Sequence, residues 1–430
     1  MRWNSLARIV FRFCVVYFGL YNLLLNFVPF TVVDLLGPWF RGYGGWWITS
    51  WTDPVTGWVG STVFGVDTAL HQDSGAGDQT AVWVLMFCVL VVAVICAAVW
   101  TIVDRRPAHP WLLAWFTLFL RMSLGATMVS FGFAKLIPTQ MPGPTLAQLL
   151  QPYGEMSPAS VLWLQVGSSY PYEMAIGAAE VVAGLLLFVP RTAVLGAVFS
   201  LGSTAQILLV NMTYDIPEKL LASHLLLISL FLLAPYLRRL LDVFVRHRAC
   251  DPLTQPALFP DDRKNRVALW VTVAIGLWIA LNNGSDRWRV WQEQYSPHSP
   301  KSELYGIWDV REFTFDGRPR PPLTTDEIRW QRLVFDDPQQ ATYQEMDGDL
   351  IPAEATFLPN GVLQLGTAET DGPRIPLATL SHEQPAPNQL LLRGTLHDRP
   401  VVVTLERVDL NSFTLRNRGF HWVQDYIYFR

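Results

Sequence analysis

The chain has 430 residues, of which 51% are hydrophobic and only 16% charged, with 18 tryptophans and a formal net charge of −4. Soluble domains carry about 25% charged residues, so the composition argues against a wholly soluble chain. No basic stripe marks a nucleic-acid partner. Four cysteines without CxxC spacing argue against a disulfide framework or a zinc site: Cys14, Cys88 and Cys96 lie in hydrophobic runs and Cys250 in a polar loop.

In chain order, hydrophobic runs at about 7–28, 81–103, 111–134, 172–189, 193–210, 220–237 and 267–281 predict seven membrane spans, each near the ~20 residues that cross ~30 Å of hydrocarbon. The first run ends in Asn26-Phe-Val-Pro29 with no small-residue cleavage site. That favours a retained helix over a signal peptide.

Basic residues set the expected orientation, because cytoplasmic loops are enriched in Lys and Arg. Arg2, Arg8 and Arg12 flank the first span. Arg105 and Arg106 follow the second, Arg191 the fourth, and Arg238, Arg239, Arg246, Arg248, Arg263, Lys264 and Arg266 the sixth. The loop 31–80 has Arg41 as its one base against Asp34, Asp53, Asp67, Asp73 and Asp78. The expectation is a multi-pass protein of a bacterial cytoplasmic (inner) membrane, its N-terminus cytoplasmic and its C-terminal domain extracytoplasmic.

Two outer loops look more than connective. Trp39, Trp46, Trp47, Trp51 and Trp58 in the first predict an aromatic belt on short interfacial helices. The second, 138–171, carries Leu146, Leu149, Leu150, Leu162 and Trp163 among prolines and glycines. It is expected to fold back on the membrane surface, as an anchor or as a lid over an outward-facing cavity.

Ionisable groups at membrane depth cost several kcal/mol unless paired, which makes them candidates for function. Arg121 and Lys135 share one face of the third span with Gly125 and Gly132, and Glu173 and Glu180 share one face of the fourth. Adjacent antiparallel packing predicts an Arg121–Glu180 ion pair. A further group gathers at the outer ends of the fifth and sixth spans: Asn211, Tyr214, Asp215, Glu218, Lys219 and His224, with Asp215 and Lys219 spaced to pair on a helix face and Pro217 suited to a first turn. Two readings stand. The groups fix helix register and cap the interface, or they line an outward-facing pocket for a quinone, lipid headgroup, anion or proton. His224 alone reads as a hydrogen-bonded core histidine, and no metal-ligand spacing occurs.

Residues 120–136, LRMSLGATMVSFGFAKL, resemble the opening helix of DoxX-type membrane proteins, with an arginine, two glycines and a terminal Gly-x-x-Lys-Leu. Residues 180–188, EVVAGLLLF, resemble that family's second helix, and 211–220, NMTYDIPEKL, a larger bacterial subgroup. The resemblance covers about residues 110–245. It implies a four-helix core and a link to quinone-coupled redox or thiol chemistry. This chain adds two spans before that core, one after it and a large outer domain.

From Leu304 onward, short alternating runs separated by turns predict an all-β antiparallel meander, with strands near 305–315, 328–335, 341–346, 354–357, 362–365, 375–380, 389–396, 401–407, 412–416 and 422–429. Asp316-Gly, Asp347-Gly, Asn360-Gly, Asp371-Gly-Pro and His397-Asp mark the turns. The expected form is a closed small barrel, filled or nearly filled, with the segment 418–426 as closing strand. Gly306-Ile-Trp308 resembles the Gly-x-Trp opening of lipocalin-like barrels. Asp326-Glu327 reads as a solvated turn. The expected division is a transmembrane domain over 1–283, a linker over 284–301 and an extracytoplasmic domain over 302–430.

Function is expected to be binding or accessory, with membrane lipid and a membrane or periplasmic protein as partners. A quinone-linked oxidoreductase subunit is the alternative; paired cysteines and haem or flavin signatures are missing from it. A solute or proton transporter is third, since no internal repeat is evident.

Overall fold

The computed structural model describes residues 3–25, 46–71, 74–359, 361–367 and 376–429. It forms two compact units: Met1–Met141 with Tyr170–Trp291, and Pro142–Ser169 with Gln292–Arg430.

The first unit is helical: α1 (Ser5–Leu24), α2 (Trp46–Val59), α3 (Thr80–Val103), α4 (Pro110–Leu136), α6 (Tyr170–Phe188), α7 (Ala193–Thr213), α8 (Lys219–Leu233), α9 (Leu237–Phe244) and α10 (Asp262–Val290). The intervening α5 (Pro158–Gly167) belongs to the second unit. Among the described residues, seven helical stretches are long and apolar enough to cross a membrane, α8–α9 counting as one stretch and α10 extending to Tyr295. The chain is a polytopic membrane protein. Of the expected aromatic belt, Trp39 lies outside the described residues, as do the side chains of Trp46, Trp47 and Trp51; Trp58 is exposed.

Glycines set the contact between α4 and α6. A Cβ on Gly132 would meet Val181 N at 2.7 Å and Gly177 O at 2.9 Å, and one on Gly184 would meet Gly125 O at 2.7 Å. The two backbones touch because no side chain separates them, the packing favoured where apolar lipid supplies no hydrophobic drive.

The stretch expected as a linker, 284–301, is helical as far as Tyr295. Asn283 Nδ2 donates to Ile279 O at 2.9 Å, and Arg289 pairs with Asp286 at 2.6 Å. Polar residues end a hydrophobic run without ending a helix, and the first proline after Asn282 is Pro297.

The second unit holds an antiparallel barrel of eight strands: β1 (Gly306–Phe315), β3 (Trp330–Phe335), β4 (Gln340–Glu345), β5 (Leu350–Leu358), β6 (Val362–Thr367), β7 (Pro376–Ala386), β8 (Gln389–Leu396) and β9 (Arg399–Arg407). A two-residue β2 (Arg318–Pro319) extends the β1 hairpin. Spatial order follows sequence order, and β1 closes the sheet by pairing β9, with Trp308 opposite Arg407 and Phe315 opposite Val401. Trp308, Phe313, Trp330, Phe335 and the inward leucines of β6–β9 form one buried cluster, so the barrel is filled by its own side chains. Type I′-like backbone supports the turns at Asp316-Gly317, with φ of 52° and 73°, and at His397-Asp398, with φ of 49° and 60°. Asn360 and the Asp371-Gly-Pro turn lie outside the described residues.

Three expectations here are overturned. Residues 422–429 form no strand and are exposed, and 410–417 is helical rather than extended. Once β9 has taken the free edge of β1, a further strand has no edge to pair with. Within the loop 138–171, Pro142–Ser169 groups with the barrel unit. Leu146 packs with Ile307 and Val334, and its N–H donates to Asp336 Oδ2 at 2.6 Å. Burial raises the Asp336 carboxyl above the usual carboxylate range, with the Leu146 N–H opposing. Asp326 is no solvated turn either; it accepts from both Ile328 N and Arg329 N and holds Arg320 Nη1 at 3.0 Å.

Candidate functional site

The sequence-singled polar residues fall into three places. In the first, Lys135 Nζ lies 2.8 Å from Glu180 Oε2, with side chains 9% and 1% exposed. Glu173, fully buried, accepts from Met141 N at 3.1 Å and so caps the turn that leaves α4. Glu180 Oε1 and Glu173 Oε2 have no hydrogen-bond partner among the described residues. Packing is close around these groups, and none of them lines any of the cavities described below.

The expected Arg121–Glu180 pair does not form. Arg121 Nε and Nη2 instead donate to Leu187 O at 3.0 and 2.7 Å. Leu187 is the penultimate residue of α6, so its carbonyl is one of the four that the helix cannot satisfy internally. A guanidinium there meets the negative end of the helix dipole as well as a free acceptor. Charge was satisfied by a backbone terminus, a partner that no side-chain pairing rule reveals.

The second place is a cavity of about 950 Å³ at the same end of the bundle. It is bounded by α4, the turn after α6, the segment 253–258 and α10, and Arg121, Arg191 and Arg266 line it.

The third place lies where α8 begins. Asp78 Oδ2 accepts from Lys219 N at 2.7 Å and Oδ1 from Leu220 N at 2.9 Å, capping α8 from far away in sequence. Gly77 N and Asp78 N donate to Pro217 O, locking the two loops together. Lys219 Nζ reaches Asp215 Oδ1 at 3.0 Å, but Asp215 sits in the α7–α8 turn with φ of 53°, not on a shared helix face. Asp215 is 85% exposed, and such pairs contribute little. Pro217 precedes the cap residue Glu218 rather than occupying the first turn. Asn211 Nδ2 donates to Glu218 O at 3.1 Å, and Tyr214 ends α7.

Beside this junction is a cavity of about 220 Å³, lined by Tyr21, Asp53, Gln79 and Glu218 together with leucines and alanines of α1, α3 and α8. Burial, then the neighbouring Asp78 charge, pushes the Glu218 carboxyl up to about 7, with the Gly77 backbone opposing. Gly77 makes the close approach possible, since a Cβ there would meet Glu218 Oε2 at 2.5 Å. Behind the cavity, His224 stacks on Tyr21 at 4.1 Å between ring centres, and its Nε2 lies 2.9 Å from the Tyr17 hydroxyl. Its Nδ1 lies 2.7 Å from Leu220 O. Both ring nitrogens of His224 are engaged. His224 is thus a hydrogen-bonded core residue, as its lone occurrence suggested.

Sequence reasoning missed Asp78, Asp53, Tyr17 and Tyr21 as members of this place. Each is isolated in its own segment, and only folding brings them to α8. Among the described residues, no group of three or more His, Cys, Asp or Glu is arranged to hold a metal ion.

No family model matches the chain, DoxX models included, and no solved structure matches it. It is similar to the "Uncharacterized protein YwoB" of Bacillus subtilis (strain 168), 30% identical over 149 residues, which is 33% of this chain and 86% of that protein. The chain belongs to the YwoB family.

Proposed function

We propose that this member of the YwoB family is a membrane binding or accessory component. Its ligand site is the Glu218 cavity, and its barrel unit is the module that meets a partner. The observation that carries this reading is a half-buried carboxyl at the wall of an otherwise mainly apolar cavity within a membrane bundle. Asp53 and Glu218 in the wall, with Asp78 behind, suit a small apolar ligand with a cationic or hydrogen-bond-donating head. Ligand sites are commonly apolar concavities with a few placed polar groups.

The finer assignments rest on the same residues. Arg121, the glycine seam and Lys135–Glu180 support a DoxX-like four-helix core built of α4, α6, α7 and α8. Gly306-x-Trp308, with Arg407 of the closing strand over the Trp308 ring at 5.8 Å, supports a lipocalin-like barrel. The basic loops support a cytoplasmic N-terminus and an extracytoplasmic barrel.

The test titrates the full-length protein in detergent with octylammonium, octanol and a short-chain quinol. Octylammonium binding should strengthen as pH rises through about 7, as Glu218 ionises, and Glu218→Gln should abolish that dependence. Quinol binding in its place would favour the redox alternative. Absence of binding by all three, or a response unchanged in the variant, removes this cavity as the site.

A further inference from the structure

The arginine-lined cavity is separate from the Glu218 cavity and shares no residue with it. Its three arginines come from three segments: Arg121 from α4, Arg191 from the turn after α6 and Arg266 from the first turns of α10. None of the residues lining it is acidic. Arg121 is only 4% exposed and is held by a neutral carbonyl, so its charge is offset by a helix terminus and not by a carboxylate. A guanidinium so buried, facing two exposed ones across a cavity, is a fixed positive receptor for an oxyanion.

The rest of the wall narrows the ligand. Apolar residues of α10 and Leu118 of α4 continue from the arginines along the bundle, and an adjacent cavity of about 500 Å³, sharing Leu118 and Leu258, is almost wholly apolar with Arg263 and Lys264 at its edge. Charge at one end and hydrocarbon-compatible wall at the other is the pattern of an amphiphile. Gln255 also contributes to the wall, and the remaining polar lining is uncharged. A volume near 950 Å³ admits a headgroup with the first part of its chains.

We propose that this cavity binds a phosphate-type oxyanion, carried by the headgroup of an anionic phospholipid. The basic-loop rule puts this end of the bundle at the cytoplasmic leaflet, where anionic lipid attracts Lys and Arg. The same three arginines would also receive a soluble phosphate, so the test must separate the two sources.

Full-length protein, delipidated in nonionic detergent, is titrated with dioctanoyl phosphatidylglycerol, dioctanoyl phosphatidylcholine and inorganic phosphate, and bound adducts are read by native mass spectrometry. Arg121 holds α6, so its removal risks unfolding; the exposed pair Arg191→Gln/Arg266→Gln provides the variant. The expected result is phosphatidylglycerol binding at least tenfold tighter than phosphatidylcholine, with that preference lost in the variant. Inorganic phosphate binding with the same arginine dependence, and no preference between the lipids, supports the oxyanion receptor and assigns its ligand to the soluble pool. Equal lipid and phosphate binding by parent and variant, or no binding of either anion, overturns the site.

Discussion

Lys135 and Glu180 meet at 2.8 Å although their backbones start at different levels of the α4–α6 contact. Gly132 faces Gly177 and Gly125 faces Gly184, which puts Lys135 level with Met174 and Glu180 level with Val129. The offset is about 9 Å at 1.5 Å per residue. Helical side chains tilt toward their own N-terminus, so on these antiparallel helices Lys135 and Glu180 lean toward each other. Arg121, level with Phe188, leans away from Glu180, and the pair that equal depth suggests is geometrically closed off.

That convergence predicts a specific coupling. Lys135→Met or Glu180→Leu leaves a buried charge without its partner, at a cost of about 3–5 kcal/mol. The double variant should recover most of it in thermal melts of the detergent-solubilised protein. Arg121→Leu combined with Glu180→Leu should instead be close to additive. A recovered Arg121/Glu180 double variant would contradict the register derived from the glycines.

The glycine seam can be probed by one methyl group. Gly132→Ala and Gly184→Ala place a Cβ against backbone atoms 2.7 Å away, where no side chain can yield, and overpacking of this kind costs about 1–3 kcal/mol. Gly202→Ala, with nothing within 4 Å, should melt with the parent. Equal melting of all three would show that α4 and α6 do not touch in this way.

Glu218 gives stability a pH slope. Its carboxyl is raised in the fold from 4.5 to about 7, so the folded state holds the proton more tightly than the unfolded chain does. The associated stability is complete below about pH 4.5 and is lost as pH rises through about 7. Asp78 deepens the loss, while Asp53 in the cavity wall and Lys219 beside it are the other charges near the group. Melting temperature should therefore fall over that window in the parent and fall less in Glu218→Gln. Parallel profiles would place Glu218 in water.

Orientation is open to a direct measurement. Alkaline phosphatase fused at the C-terminus should be active and a fusion at Arg248 inactive, because the enzyme folds only outside the cytoplasm. The reverse pattern refutes the orientation read from the basic loops.

Much of the architecture was legible in the chain because each signal is local. Seven apolar runs became seven span-length helices among the described residues, since twenty apolar residues in lipid must satisfy their backbone internally. Period-two alternation broken by Asp316-Gly317 and His397-Asp398 gave the meander. Alternation near the C-terminus points to 418–426 as the closing strand, whereas β9 already closes the barrel. Alternation shows which residues can form a strand; edge availability is a property of the whole sheet.

The sites depended on contacts that sequence position does not carry. That Arg121, Lys135, Glu173 and Glu180 would be buried followed from their place in apolar runs. Their partners did not, because the register of two antiparallel helices is set by where glycines let the backbones meet, and the tilt of each Cα–Cβ bond then decides which charges converge. Asp78 caps α8 across 141 residues of chain, and Arg121, Arg191 and Arg266 reach one cavity from three segments. Sequence alone determined which groups must leave water; tertiary packing decided what each of them found there, since a buried charge is satisfied by whatever acceptor the fold brings within reach, a carboxylate for Lys135 and a helix terminus for Arg121.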